Sequence, residues 1–393
     1  MRRARRSAPP GGLSKVVFAC YGALDCNSAI HIAGFARELQ RLGYAVAVAG
    51  RERINGAYES GPPPFEVFTL AELARDPKGV IGFDGRFQPE RTALYAWTPR
   101  KASRTAVRKA LRKGPMRYLV HLEDNEDHLS DLRFSDPDTA AADRGEREAF
   151  LSAAAAVSYI APRLAEVAPP GKPSLWLEPG VDPVLFETLP PFRRGALLRA
   201  IGVPTDARVL IYPGNVHHAN QAEVAALYAA VAGLRAQGRN LVLVKTGRDD
   251  PAVAAALAST ASAAGLVELG LVPRPMLLEL IKCADLFVQP GAAGPFNDFR
   301  LPSKLPEVMA AGRPVILPAA NLGLRLKDGE QALLLRDGSA AEIAGRIAAV
   351  LDDPALAARL GRAAGAFARK TWRWDVQGRK LAAFLDRLWR PAR

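Results

Sequence analysis

The chain has 393 residues and a formal net charge of +13, with nearly half of its residues hydrophobic and about a quarter charged. This length predicts two or three domains with large cores, and the composition is that of an ordinary folded protein. The positive charge favours anionic partners such as nucleotide phosphates or acidic lipids. No apolar run approaches the roughly twenty residues that span a bilayer. Residues 1–12, rich in Arg, Pro and Gly, predict a disordered basic tail and not a signal peptide.

Apolar runs at residues 16–20 and 45–49 predict two strands around a helix at 29–42. Strand, helix and strand in this spacing are typical of a doubly wound parallel sheet. His31 falls in the first turn of the helix, and we expect it to pack or to cap the helix instead of acting in catalysis. Cysteine spacing predicts neither a disulfide nor a metal site, which fits a reducing cytoplasm.

A strand at residues 118–122 runs directly into the acidic sequence 123–128, Glu-Asp-Asn-Glu-Asp-His. In an open α/β sheet this end of a strand is where ligands bind. Clustered carboxylates shift one another's pKa values, so acid or base chemistry is plausible here. The residues leave open whether Glu123 or His121 is the key group. An acidic loop that only caps the next helix is the alternative.

Residues 99–117 contain eight basic residues and no acidic one. A helix over 99–113 would place its apolar side against the sheet. The cations then form either a solvated outer face or a surface that docks to an anionic membrane or a phosphorylated acceptor. Nucleic acid is not expected as a partner, because no aromatic residues interleave the charges.

The second half of the chain repeats the strand and helix pattern after residues 187–206, which predict a proline-containing linker. Its centre is a strand at 286–288, a long loop and a short helix. Ser303 is the expected N-cap, and Lys304 is the expected first helical residue. A helix N-terminus with an added positive charge favours a phosphate. Glu307, one turn further, could accept hydrogen bonds from a ribose, or could simply face solvent.

Glu307 and the following residues 309–315, Met-Ala-Ala-Gly-Arg-Pro-Val, resemble the nucleotide-sugar signature of retaining GT-B glycosyltransferases of the family 4 type, the glycosyl transferases group 1. This sequence differs from the first half of that signature, because Phe299 stands at the position of the first acidic residue and Asp298 lies one residue away. Gly180, Val181, Asp182 and Phe186 match a second motif of the family. The resemblance covers about residues 13–390.

The resemblance implies two Rossmann-like parallel-sheet domains, class α/β, that face each other across a cleft. The expected boundaries are 13–186 for the acceptor domain, 187–206 for the linker, 207–371 for the donor domain and 372–393 for a helix that crosses back. The implied activity is transfer of a sugar from a UDP- or GDP-linked donor to a glycan or lipid-linked acceptor, with retention. No metal or separate cofactor is expected, and the expected location is the cytoplasm or the inner face of the membrane.

In the family that this chain resembles, an Arg and a Lys usually contact the donor diphosphate. Asn215 and Asn220 stand at these positions here, and Lys245, Arg248 and Lys304 are the residues expected to supply the missing charge. The predicted catalytic residues are Glu123, His121 and Lys304. The predicted donor-binding residues are Gly214, Asn215, Lys245, Gly247, Arg248, Asp298, Pro302, Ser303, Leu305 and Glu307. Two rival interpretations remain: an epimerase that acts on a nucleotide-sugar, and a binding protein that has lost catalysis.

Overall fold

The computed structural model describes residues 12–24, 26–53, 64–82, 86–134, 136–182 and 185–390, so the predicted tail at 1–12 lies almost entirely outside the described residues. The chain divides into two compact units, one made of residues 1–180 and 374–393 and the other of residues 181–373. Each unit carries its own parallel sheet and its own buried apolar cores.

The first unit is built on a seven-stranded sheet in which all the paired strands are parallel. Its strands are β1 (Lys15–Cys20), β2 (Ala45–Gly50), β3 (Glu66–Thr69), β4 (Thr92–Trp97), β5 (Arg117–Leu122), β6 (Ala156–Tyr159) and β7 (Ser174–Trp176). Their spatial order is β3-β2-β1-β4-β5-β6-β7. Every residue of β1 and β4 is buried. Continuous apolar runs are expected in such strands, because helices cover both faces of a parallel sheet.

The α-helices described before residue 180 are α1 (Asn27–Arg41), α2 (Leu70–Arg75), α3 (Pro77–Ile81), α4 (Lys101–Leu111), α5 (Glu126–Arg133) and α6 (Pro137–Ala153). Asp136 accepts hydrogen bonds from the first backbone N–H groups of α6, and Pro137 occupies its first position. This N-cap and proline pair fixes the helix start.

The second unit has a six-stranded parallel sheet made of β8 (Arg208–Pro213), β9 (Leu241–Thr246), β10 (Leu266–Glu268), β11 (Leu286–Val288), β12 (Val315–Pro318) and β13 (Leu333–Leu335). The spatial order is β10-β9-β8-β11-β12-β13. Its helices are α7 (Arg194–Ala200), α8 (Gln221–Ala236), α9 (Pro251–Ala263), α10 (Arg274–Cys283), α11 (Leu305–Ala310), α12 (Ala340–Asp352) and α13 (Pro354–Thr371). The sequence predicts a linker where α7 lies, yet Leu198 of α7 is fully buried in the core of this unit.

The last helix, α14 (Trp374–Trp389), belongs to the first unit although it follows the second in the chain. Leu381 and Leu385 of α14 are fully buried in the same core as Phe18 of β1. A Cβ on Gly378 would lie 2.4 Å from the Cβ of Glu38, so α14 approaches α1 as closely as a glycine allows.

In both sheets the strand order reverses beside the first strand, between β1 and β4 and between β8 and β11. Loops that leave these neighbouring strands run to opposite sides and open a crevice at the carboxyl edge, where ligands of such sheets bind. No helix among the described residues is long and apolar enough to cross a membrane.

A single methyl group at Gly361 tests the packing of α13 on the end of α11. A Cβ there would lie 2.2 Å from the carbonyl oxygen of Gly312, whose φ is +72°. Because backbone must move to accept it, Gly361→Ala should lower the free energy of unfolding of the second unit by about 1–3 kcal/mol.

The matched control is Gly345→Ala in α12, where a Cβ would meet nothing within 4 Å. This change should stabilise the helix by about 0.5–1 kcal/mol, since alanine is the better helix former. Urea unfolding of both variants measures the difference, and equal midpoints would contradict the packing described here.

Candidate functional site

Glu123 lies directly after β5 and accepts three hydrogen bonds from residues far away in the chain. The donors are Ser28, the Nδ1 of His31 at 2.7 Å and the indole Nε1 of Trp97 at 2.8 Å. Burial alone would raise the pKa of this carboxyl group, but the hydrogen bonds from His31 and Ser28 outweigh it and hold the pKa at about 2. Glu123 is therefore an ionised carboxylate that joins the ends of β4 and β5 to the start of α1.

His31 is tied into this site more closely than its sequence position indicates. An ionised carboxylate can only accept hydrogen bonds, so the Nδ1 of His31 must donate to Glu123. In the neutral ring the Nε2 then carries a lone pair, and this buried atom has no hydrogen-bond partner among the described residues. The Glu123–His31 pair thus has the geometry of an oriented acceptor or base. The only sequence signal for it is that His31 lies near the start of α1, shortly after the end of a strand.

His121 lies inside β5, two residues before Glu123, and has no exposed surface. Its ring stacks on Trp97 with centroids 3.8 Å apart, and its Nδ1 lies 2.7 Å from the Oγ of Ser158. Burial lowers the pKa of His121 to about 3, so the ring is neutral at physiological pH. The structure therefore places His121 in the packing beneath Trp97, and Glu123 at the strand end.

The basic segment 99–117 is partly neutralised by acidic residues from α5 and α6. Arg100 bonds Glu126 at 2.8 Å, Arg104 bonds Asp143 at 2.5 Å, and Arg108 pairs with Glu146. Arg104 is buried, which excludes it from any docking surface. The exposed cations of the segment are Lys101, Lys109, Arg112, Lys113 and Arg117.

In the second unit, charged side chains meet at the start of α11. Lys304 is the residue that precedes the helix and not its first residue, and Ser303 does not cap it, contrary to expectation. Glu307 is 5% exposed and forms an ion pair with Arg274 at the start of α10. Burial lowers the pKa of Lys304 to about 8, although Glu307 partly opposes the shift. Arg274 was not anticipated, because its pairing with Glu307 depends on the fold.

Lys245 does not present its charge at the sheet edge. Its side chain is fully buried, and its Nζ lies 2.6 Å from Asp249 and 3.4 Å from Glu268. These two carboxylates already balance the ammonium group, so the expectation that Lys245 replaces a missing diphosphate contact lacks support from its geometry. Arg248, by contrast, is exposed.

Asn215 and Asn220, at the positions where cations were expected, connect the loops that follow β8 and β9. Asn215 accepts a hydrogen bond from the backbone N–H of Arg248 at 2.8 Å, and Asn220 donates to the carbonyl oxygen of Asn215 at 2.9 Å. A Cβ on Gly247 would lie 2.9 Å from the carbonyl oxygen of Gly214, so the two glycine turns touch. Gly214, Asn215, Gly247 and Arg248 therefore lie close together, and their binding of the donor stays a prediction.

The loop between β11 and α11 is fixed by a cation that sequence analysis missed. Arg300 bonds Glu223 at 3.0 Å, and its guanidinium lies 3.8 Å from the ring centroid of Phe296. The loop lines a pocket whose walls include Gln289, Asn297, Arg300, Pro302, Leu305 and Asn321. Asp298 lies in the same loop, partly exposed, and its backbone N–H donates to Gly294. Pro302 and Leu305 therefore meet at this pocket, and their role in donor binding stays a prediction.

No group of three or more His, Cys, Asp or Glu side chains within the described part of the chain is arranged to hold a metal ion.

Comparison with solved structures shows the fold. A sucrose-phosphate synthase from Thermosynechococcus elongatus superposes with a TM-score of 0.73 at 15% identity, covering 95% of this chain and 99% of that one. Anabaena HepE in complex with UDP-glucose gives a TM-score of 0.71 at 16% identity, covering 94% and 99%. The predicted α/β fold with two Rossmann-like parallel-sheet units of the GT-B type is confirmed.

Sequence comparison adds a match within the second unit. Residues 207–353 match the family model of glycosyl transferases group 1. A D-inositol 3-phosphate glycosyltransferase from Thermobispora bispora is 29% identical over 226 residues, which are 55% of this chain and 50% of that protein. The chain thus spans about half the length of the curated relatives that it matches.

The buried His121 makes stability sensitive to acid. Its folded pKa is depressed to about 3, whereas an unfolded chain takes up the proton near pH 6.5. The contribution of His121 to the free energy of unfolding is fully present above about pH 6.5 and is lost as the pH falls from there toward 3. Wild-type protein should therefore lose up to about 1.4 kcal/mol per pH unit from this group between pH 6 and 5.

His121→Gln should flatten this dependence, while His218→Gln should not, because the side chain of His218 is 67% exposed. Urea unfolding at pH 7 and pH 5 compares the three proteins. An unchanged pH dependence in His121→Gln would show that other groups control acid unfolding.

Proposed function

We propose that this protein is a glycosyltransferase that moves a sugar from a UDP- or GDP-linked donor to an acceptor hydroxyl, with retention at the anomeric carbon. The observation that carries the proposal is the pair of buried charged residues Lys304 and Glu307, with the partly buried Arg274 bonded to Glu307, at the carboxyl edge of the second sheet. It lies within residues 207–353, the segment that matches glycosyl transferases group 1. Charged side chains are costly to bury, so a cluster at a ligand-binding edge favours a functional role.

In this proposal Glu307 accepts hydrogen bonds from the donor ribose, and Arg274 holds its carboxylate in place. Lys304 faces the diphosphate. When the acceptor oxygen bonds to the anomeric carbon, the bond from that carbon to the phosphate oxygen breaks and negative charge builds on the leaving diphosphate. A cation already in place stabilises this charge more in the transition state than before reaction. We propose that no metal ion is required.

We assign the acceptor hydroxyl to the first unit, with Glu123 as the orienting carboxylate. Glu123 fixes the ring of His31 so that the Nε2 can accept a hydrogen bond from the acceptor. The names of the sequence relatives support a phosphorylated polyol as one acceptor class, and HepE supports a UDP-linked donor. The exposed cations of residues 101–117 are proposed as the side that approaches an anionic acceptor or membrane.

The direct test incubates the purified protein with a panel of nucleotide-sugars and acceptors, D-inositol 3-phosphate among them, and identifies products by mass spectrometry. Transfer releases one nucleoside diphosphate for each glycosylated acceptor. An isomerised donor without acceptor would instead indicate an epimerase. Binding without turnover of any donor would indicate a protein that has lost catalysis.

Glu307→Gln tests the ribose contact while keeping the shape of the side chain. Loss of the charged acceptor should weaken nucleoside diphosphate binding by about ten- to a hundredfold, or roughly 1.5–3 kcal/mol. Calorimetric titration measures this, with Glu330→Gln as control because the side chain of Glu330 is 66% exposed. Equal affinities for wild type and Glu307→Gln would remove Glu307 from the donor site.

Lys304→Ala should lower kcat by about a hundredfold or more while donor affinity falls less, because its charge matters most in the transition state. Since its pKa is lowered to about 8, the wild-type kcat should fall as pH rises above 8. Lys304→Arg should lack this alkaline limb, because an arginine stays charged.

The control for these kinetics is Lys327→Ala, whose side chain is 73% exposed. Normal turnover by Lys304→Ala would refute the role of Lys304. Loss of wild-type activity in a chelator would refute the metal-free mechanism.

A further inference from the structure

Two cysteines lie side by side at the start of α1, beside the Glu123 site. Cys20 is the last residue of β1, and Cys26 directly precedes α1. Their sulfur atoms are 3.7 Å apart and share a hydrogen bond. The spacing in sequence predicts no disulfide, so only the return of the chain to the end of β1 reveals the pair.

The two thiols differ in the way that a reactive pair requires. Cys20 is fully buried, whereas Cys26 is partly exposed. The hydrogen bond from Cys20, together with the backbone N–H groups of Ala29 and Ser28, lowers the pKa of the Cys26 thiol. The same hydrogen bond raises the pKa of the Cys20 thiol, and burial raises it further. Cys26 is thus the attacking thiolate, and Cys20 the thiol that resolves.

The residues that follow Cys26 hold Glu123. Ser28 and His31 in the first turns of α1 both bond to its carboxylate. A disulfide has an S–S distance of about 2.05 Å, so the two sulfur atoms must approach by roughly 1.7 Å. Room is limited, because even a Cβ added to Gly22 would lie 3.2 Å from the Sγ of Cys26. Movement of Cys26 therefore shifts the start of α1 and the hydrogen bonds to Glu123.

We propose that Cys20 and Cys26 form a reversible disulfide that switches off the Glu123–His31 site. A low-molecular-weight disulfide is the oxidant. The thiolate of Cys26 attacks one of its sulfur atoms and releases a first small thiol. The sulfur of Cys20 then attacks the Sγ of Cys26, loses its proton to solvent and releases the second small thiol, so the oxidant is reduced by two electrons. The effect on activity rests on the proposed glycosyl transfer, whereas formation of the disulfide does not.

The test treats the full-length protein with oxidised glutathione and maps its peptides by mass spectrometry without reduction. A Cys20–Cys26 link, with a loss of about 2 Da, is expected, and dithiothreitol should reverse it. The transfer rate should fall by about tenfold or more on oxidation, while nucleoside diphosphate affinity, a property of the second unit, should change less than about twofold.

Cys26→Ser and Cys20→Ala should abolish both the link and the loss of rate, whereas Cys283→Ser, in the second unit, should keep both. Absence of the link in wild-type protein, or the same loss of rate in Cys26→Ser, overturns the proposal. A link without loss of rate overturns the switch. If the reduced protein transfers no sugar at all, the proposed function fails. The peptide map then still shows whether the disulfide forms, and the rate of hydrogen exchange at His31 shows whether it disturbs α1.

Discussion

The hydrogen bonds to the buried carboxylate of Glu123 hold together the polar residues at the carboxyl edge of the first sheet. A buried ionised carboxylate without donors would cost several kcal/mol, so its three hydrogen bonds must be kept together. They come from α1 and from the end of β4, while Glu123 itself follows β5. One side chain thereby fixes the relative positions of three chain segments at the point where the strand order reverses. Trp97 is held between this carboxylate and the buried ring of His121.

The second unit uses charge pairing in the same way but divides its cations into two kinds. Lys245 is enclosed with Asp249 and Glu268, and Arg300 is paired with Glu223. These pairs stabilise the strand end and the loop that they join. Lys304 is also buried, and burial lowers its pKa, so its ammonium group lies in a poorly solvated place. A cation in such a place interacts strongly with an anionic ligand, because water does not screen it.

The net charge of +13 is therefore a poor guide to the surface. Three arginines of the segment 99–117 are neutralised by acidic residues from α5 and α6. These pairs cancel much of the positive charge of the segment and so reduce the field that a partner would meet. The remaining exposed cations lie on α4 and just after it.

The sequence by itself determined the parallel sheets, the two-unit plan and the edge at which polar residues gather. Apolar runs at strand spacing and amphipathic helices are local patterns, and parallel strands bring their carboxyl ends to one edge whatever the loops do. Glu123, Lys304 and Glu307 could be named for that reason. The tertiary structure alone decided which partners they have. His31 pairs with a residue 92 positions away, Arg274 with one 33 away and Arg300 with one 77 away.

The same distinction explains the expectations that differed from the structure. Prolines around residues 187–206 indicate a linker, but burial of Leu198 orders α7 between them. Lys245, near the end of β9, is available for phosphate as far as the sequence shows, but in the fold Asp249 and Glu268 surround its ammonium group. A buried charge is stabilised by the opposite charge that the fold brings near it. No spacing in the sequence encodes that contact.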